Sequence, residues 1–214
     1  VNLFLARHGG SNPSSPTKLN QNKEDEGDMM NLDEMIIKNN DSIRIESGAI
    51  IMHAWETPIM ARMAEFICQD GGDILEVGFG MGISARLIQK HDIKSHDIVE
   101  IHPDIFKDLE EWSKDKNDIN TLFGDWWGAR DWLKTYDGIL FDTYLDKHVP
   151  EFKNLIPTIC NDECKVTWWN NLPKDYNEHQ LAGVEFEILH VQPPVNDYFN
   201  HKTFHMPKYI HNEI

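Results

Sequence analysis

Residues 73–85 read DILEVGFGMGISA: an apolar run broken by an acid, Glu76, and followed by three glycines at alternate positions, Gly78, Gly80 and Gly82. Such a pattern predicts a strand running into a turn where a ligand can approach the backbone closely. The spacing departs from the dinucleotide pattern G-x-G-x-x-G, because Ile83 stands where the third glycine belongs. No Gly-Lys-Ser/Thr closes the loop and the next lysine is Lys90, so nothing is placed to hold a triphosphate. A carboxylate at a strand end repels pyrophosphate, but it can accept hydrogen bonds from an ammonium group or pair with a cation.

Two more acids follow in order. Glu100 closes the second strand-like run, where a doubly wound sheet places the acid that grips ribose hydroxyls. Gly124-Asp125 closes the third, within reach of an adenine amino group. Each alone is weak, since acids at strand ends are common on solvated surfaces. Together they predict a site for S-adenosylmethionine, which carries a sulfonium, an ammonium group and a nucleoside.

The elements that must position these residues are regular. Helical patterns cover residues 57–69, with Pro58 in the first turn, and 81–90, 103–114 and 150–159; strand-like runs cover 73–77, 97–101, 120–123, 136–141, 165–169 and 185–191. Their alternation predicts an α/β fold with a doubly wound, mostly parallel sheet. A last run at 198–210 contains Pro207, which predicts an edge strand or a bulge. Residues 9–28 are poor in large apolar side chains and read as an arm, whereas the Met and Ile residues of 29–37 recur at near-helical spacing and predict a short docking helix. The division is thus an N-terminal arm or lid over residues 1–40 and one catalytic domain over 41–214, a length that suits a single core.

Twenty Lys and Arg stand against 36 Asp and Glu, a formal charge of −16 that disfavours nucleic acid and anionic membrane as partners and favours a cationic one. Cys68, Cys160 and Cys164 lack the paired spacing of a zinc site, so no metal is expected and the thiols read as reduced. No run approaches the ~20 apolar residues that span a bilayer, and the opening residues do not read as a secretory signal. The expectation is a cytoplasmic protein.

Three stretches, HAWETPIM at 53–60, LEVGFGM at 75–81 and YDGILFDTY at 136–144, closely resemble the guanidinoacetate N-methyltransferase family, and VQPPVNDYFNHKTFHMP at 191–207 matches it more loosely. The resemblance implies the seven-stranded, Rossmann-like fold of class I S-adenosylmethionine-dependent methyltransferases. It also implies guanidino-binding carboxylates at Glu56 and Asp142, with Tyr144, Asn171 and Leu172 beside the substrate. The cofactor would be lined by Met52, Met60, Glu76, Gly78, Phe79, Gly80, Met81, Gly82, Ile83, Ser84, Glu100, Ile101, His102, Gly124, Asp125, Trp126 and Asp142.

The chemistry of the acceptor agrees with that carry-over. A guanidinium is planar, and its paired N–H donors match the two oxygens of a carboxylate. Its nitrogen lone pair is delocalised and its pKa lies above 12, so methylation needs a proton acceptor, for which Asp142 is the candidate and Glu56 the clamp. Read without the resemblance, Glu56 is more readily a helix N-terminal acid and Asp142 a turn residue. Trp126, Trp127, Trp168 and Trp169 offer an aromatic wall for a cation, with packing favoured for Trp127 and Trp169.

The sequence departs from the family pattern after the fifth strand-like run, where fifteen residues, NNLPKDYNEHQLAGV, replace a long helical insertion. The acceptor is therefore left as a small guanidine or an arginine on a peptide. Two other classes stay open. Arg7-His8-Gly9 after an apolar run resembles the phosphohistidine loop of histidine phosphatases, and the glycine turn alone would serve a non-catalytic cofactor-binding protein.

Overall fold

The computed structural model describes residues 4–6, 35–144, 149–196 and 198–212. Arg7, His8 and Gly9, and most of the expected arm, lie outside the described residues.

In chain order the strands and helices are β1 (Phe4–Ala6), β2 (Ile36–Lys38), β3 (Ser42–Ile45), β4 (Ile50–His53), α1 (Thr57–Ile67), β5 (Asp73–Val77), α2 (Ile83–Ile88), β6 (Ser95–Glu100), α3 (Pro103–Ser113), β7 (Ile119–Phe123), α4 (Trp126–Ala129), β8 (Tyr136–Phe141), α5 (Phe152–Ile159), β9 (Cys160–Trp168), β10 (Glu185–His190) and β11 (Thr203–Ile210). The main sheet has the order β1-β7-β6-β5-β8-β9-β11-β10. Pairing is parallel from β7 through β9 and antiparallel for β11 and β10, which gives the expected doubly wound, seven-stranded sheet. β1 adds an eighth strand, antiparallel on the β7 edge.

Side chains alternate across the central strands, so each face has its own core. Leu75, Val77, Val99, Ile139 and Phe141 pack with α4 and α5, while Ile74 and Leu140 pack with α1 and α2. Gly138 lets α1 lie directly on β8: a methyl group there would meet the Ile67 carbonyl at 2.3 Å.

Four expectations change. Ile36 and Ile37 belong to a strand rather than a helix, with Ile36 buried and Ile37 half exposed, the alternation of a two-faced strand in the separate sheet β2-β3-β4. That sheet crosses the boundary drawn at residue 40. β11 is internal, not an edge; Pro207 is accommodated because the β9 ladder reaches only Tyr209 and Ile210, while the Pro207 carbonyl accepts Thr167 Oγ1 at 2.6 Å. The strand also begins at Thr203, which leaves Tyr198 in the connection ahead of it.

Candidate active site

The sheet order reverses between β5 and β8, because the chain builds outward through β6 and β7 and then returns to the other side of β5. A crevice opens at such a point beyond the carboxyl ends of the strands. Here it is a cavity of about 450 Å³.

One half is built from the ends of β5, β6 and β7. Gly78 and Gly80 hold left-handed φ values of 93° and 52°, and the Gly78 N–H donates to Val99 O at 2.8 Å, so the turn folds back over the sheet. Glu100 lies in the wall of the cavity with its carboxylate anchored by backbone: Oε2 accepts Phe79 N at 2.9 Å and Oε1 accepts His102 N at 2.7 Å. Burial raises its pKa against the pull of those donors. His102 caps α3, its Nδ1 accepting Asp104 N at 3.2 Å, and Asp125 caps α4, its Oδ1 accepting Trp127 N at 2.9 Å. Ile101, Ile105 and Trp126 supply apolar wall between them. Aromatic and aliphatic surface for a base, with an anchored acid for hydroxyls, fits a nucleoside.

The other half faces it from β4, the end of β8 and the segments after β9 and β10. Met52 lies against the glycine turn, its sulfur 3.2 Å from Met81 N. Glu56 ends a 3₁₀ turn, Ala54–Glu56, just before α1, and is 3% exposed. Its Oε1 accepts His53 N at 2.9 Å and the Tyr198 hydroxyl. Burial pushes its pKa up to about 8, with the Asp142 charge adding to the rise and the Tyr198 hydrogen bond opposing it. Asp142 follows β8 directly, and burial, with repulsion from Glu76 and Glu100, lifts it to about 7. Tyr144, Asn171, Trp169 and Tyr198 complete this half.

Several residues named from sequence lie behind the wall rather than in it. Glu76 is fully buried, because the alternation of β5 turns it with Ile74 toward the helices; Ser84 Oγ donates to its Oε1, and His96 Nε2 lies 3.0 Å from its Oε2. Met60 is core, packed with Ile59 and Met63. Gly82 caps α2 and Ile83 and Ser84 are its first residues, Met81 opens on a smaller neighbouring pocket, and Leu172 does not line the cavity. Trp168 is completely buried and Trp127 packs under the Arg130 guanidinium, so of the four tryptophans Trp126 and Trp169 reach the cavity.

Sequence reasoning missed Tyr198, Thr143, Ile50 and Ile51 as lining residues. It also missed Trp55, whose Nε1 donates to the Tyr198 hydroxyl at 2.8 Å and whose ring stacks on Phe199 at 5.6 Å. The contact of Tyr198 with Glu56 spans 142 positions, and no local pattern announces it.

A mostly parallel sheet with a glycine turn at its switch point and an acid at the end of the next strand is the architecture of a Rossmann-like class I methyltransferase. The same fold occurs in spermidine synthase from Thermotoga maritima, at a TM-score of 0.63 and 13% identity over 82% of this chain and 68% of that one. It occurs again in Aeropyrum pernix fibrillarin in complex with S-adenosyl-L-methionine, at 0.54 and 17% over 83% and 82%. The guanidinoacetate N-methyltransferase family model matches residues 33–178, and the chain belongs to that family. Among curated proteins it is similar to protein arginine N-methyltransferase 2 of Yarrowia lipolytica, 31% identical over an alignment of 174 positions that covers 68% of this chain and 36% of that protein. The Kluyveromyces lactis counterpart is 30% identical over 138 residues, 58% of this chain and 34% of that one. The chain therefore spans about a third of the length of the curated relatives it matches. Among the described residues no helix is long and apolar enough to cross a membrane, and no cluster of three or more His, Cys, Asp or Glu is arranged for a metal.

Proposed function

We propose that the protein is an S-adenosylmethionine-dependent N-methyltransferase acting on a guanidino group. The observation that carries this reading is the joining, in one cavity, of a nucleoside-shaped half ending at Glu100 to two carboxylates, Glu56 and Asp142, held near neutrality by burial. Isolated buried charges are costly, so such a pair is poised to accept a cation that restores its charge.

S-adenosylmethionine supplies an electrophilic methyl group carried on a sulfonium. Glu100 would hold its ribose hydroxyls, the turn at Gly78 and Gly80 its amino acid end, and Ile101, His102, Asp125 and Trp126 its base. Glu56 binds one edge of the guanidinium and Asp142 another, which turns one nitrogen toward the cofactor half. Asp142 would accept the proton that the guanidino nitrogen must lose on methylation. Alignment of two ligands in one crevice can supply ~7–11 kcal/mol of the barrier.

The acceptor is a small cationic guanidine or an arginine on a peptide. The second form is favoured by the fungal relatives, named for protein arginine methylation, and by the short connection from 169 to 185 beside the cavity. A reducing, cytoplasmic setting suits three buried free cysteines. Calorimetric titration with S-adenosylhomocysteine tests the cofactor half. Methyl transfer to guanidinoacetate, free arginine, agmatine-like amines and arginine peptides, read by mass spectrometry, tests the rest. Cofactor binding with a methylated guanidine supports the reading and names the acceptor. Cofactor binding without turnover would favour a non-catalytic binder, and absence of cofactor binding would overturn the proposal.

A further inference from the structure

We infer that Tyr198 is the positioning residue of the acceptor site: its hydroxyl, donating to Glu56 Oε1, fixes that carboxylate and leaves Oε2 as the single oxygen offered to a guanidinium. The inference rests on the guanidino reading above and assigns a role to a residue outside the carboxylate pair.

A carboxylate oxygen has two lone pairs, and both on Glu56 Oε1 are engaged, one by His53 N at 2.9 Å and one by the Tyr198 hydroxyl. The hydroxyl carries one proton, and its direction is set: Trp55 Nε1 donates into the oxygen at 2.8 Å, so the O–H points at Glu56. The Trp55 ring is itself held by Phe199 at 5.6 Å and Trp169 at 6.3 Å.

The segment carrying Tyr198 is built to hold still. Asn196 Oδ1 accepts Tyr198 N at 3.1 Å and Phe199 N at 2.6 Å, while its Nδ2 donates to Pro194 O at 2.8 Å and Phe199 O at 2.9 Å. One asparagine thus closes the turn on both sides, an arrangement of the Asx-turn type. Its product is the placement of one hydroxyl on the wall of the cavity.

The consequence is a restriction on how the acceptor docks. A forked guanidinium contact uses both oxygens of a carboxylate. Glu56 with Oε1 engaged offers one, so a second guanidino edge falls to Asp142 and the group cannot rotate flat against Glu56. Removing the hydroxyl frees Oε1 and loosens the orientation on which transfer depends.

The groups that face the Glu56 carboxylate are the Tyr198 hydroxyl, the Asp142 carboxylate and the His53 N–H. The first arm of the test uses the full chain without substrate. In infrared titration, the protonated carboxyl band of Glu56, assigned by its loss in Glu56→Gln, disappears as pH rises. In Tyr198→Phe the midpoint should move upward by about one pH unit, since a donor to the charged form is lost. Guanidine KM at pH 7 should rise about tenfold with S-adenosylhomocysteine affinity unchanged, and the deficit should shrink toward pH 9. Trp55→Phe, which removes the N–H that orients the hydroxyl together with part of the packed ring, should move the midpoint the same way by less, and it decides the matter should Tyr198→Phe not fold. An unmoved midpoint in the folded variants overturns the inference. Because the infrared arm needs no acceptor, failure to methylate any guanidine would sink the functional reading while the band still decides the role of Tyr198.

Discussion

Gly78 lies against the backbone of Asp142: a methyl group built on its α-carbon would stand 2.0 Å from the Asp142 carbonyl oxygen, and its φ is 93°. The Asp142 N–H in turn donates to Val77 O at 2.9 Å. The cofactor turn and the proposed proton acceptor are therefore fixed to each other through main chain, and one bulky substitution should disturb both.

Gly78→Ala should lower thermal stability by more than ~1 kcal/mol, since alanine at positive φ is strained and here it also collides with backbone. Gly48→Ala is the control, with a similar φ of 100° but nothing within 4 Å. Paired melting curves should show the larger loss at Gly78, and only that variant should lose S-adenosylhomocysteine affinity.

Asp142→Asn removes the proposed proton acceptor and keeps the shape. Methyl transfer should fall by about 10²–10⁴, the usual worth of a general base, with cofactor affinity changed far less. Single-turnover rates beside calorimetric titration separate the two effects. Wild-type turnover in this variant would remove Asp142 from the mechanism.

Glu56→Gln should weaken guanidine binding, because a charge-assisted hydrogen bond is worth about 1.5–3 kcal/mol, roughly tenfold to a hundredfold in KM. Glu56 is held by His53 and Tyr198 rather than by the strand ends that carry Glu100 and Asp125, so S-adenosylhomocysteine affinity should hold. Equal loss of both affinities would place Glu56 in the cofactor half.

The raised pKa values fix a pH dependence. Glu56 titrates at about 8 and Asp142 at about 7 when folded, against ordinary values of 4.5 and 3.8. A carboxyl raised on folding favours the folded state fully below its unfolded value, and that advantage is lost as pH rises through the folded value. Stability from this pair should therefore decline from about pH 4 to 8, and Glu56→Gln should gain melting temperature relative to wild type as pH rises. Guanidine binding needs the ionised pair, so it should strengthen from pH 6 to 9. At pH 7 it should release protons, detectable by calorimetry in buffers of different ionisation heat.

Much of the frame was readable because its signals are local. The run DILEV, the glycine turn and the alternation of strands with helices each act over a few residues, and β5, β8, α1 and α3 fall where periodicity places them. Glu56 and Asp142 were named through family motifs; spacing alone left them as ordinary helix-start and turn acids. The orientation of Glu76 needed more. Alternation puts it on the face of Ile74, but that this face is the one covered by α1 and α2 depends on how the sheet is wound. The apolar run ending at Ile37 satisfies helix and strand periods alike over so few residues, and pairing with β3 decides it. Tyr198 was hidden because its partners, Trp55 and Glu56, are brought near only by the completed sheet.

The placement of Tyr198 between β10 and β11 divides the protein's vulnerabilities. The proposed nucleoside half draws its strand ends from 77 to 126, inside the parallel core, whereas the proposed guanidino half borrows a hydroxyl from the connection in an antiparallel hairpin whose β10 strand forms the sheet's outer edge. Local opening of that hairpin, the kind of sub-global fluctuation edge elements undergo most readily, would erase acceptor recognition while the cofactor stayed bound. Loss of one ligand's affinity under mild denaturant, ahead of the other's, would be the visible sign of a catalyst assembled from two parts of unequal stability.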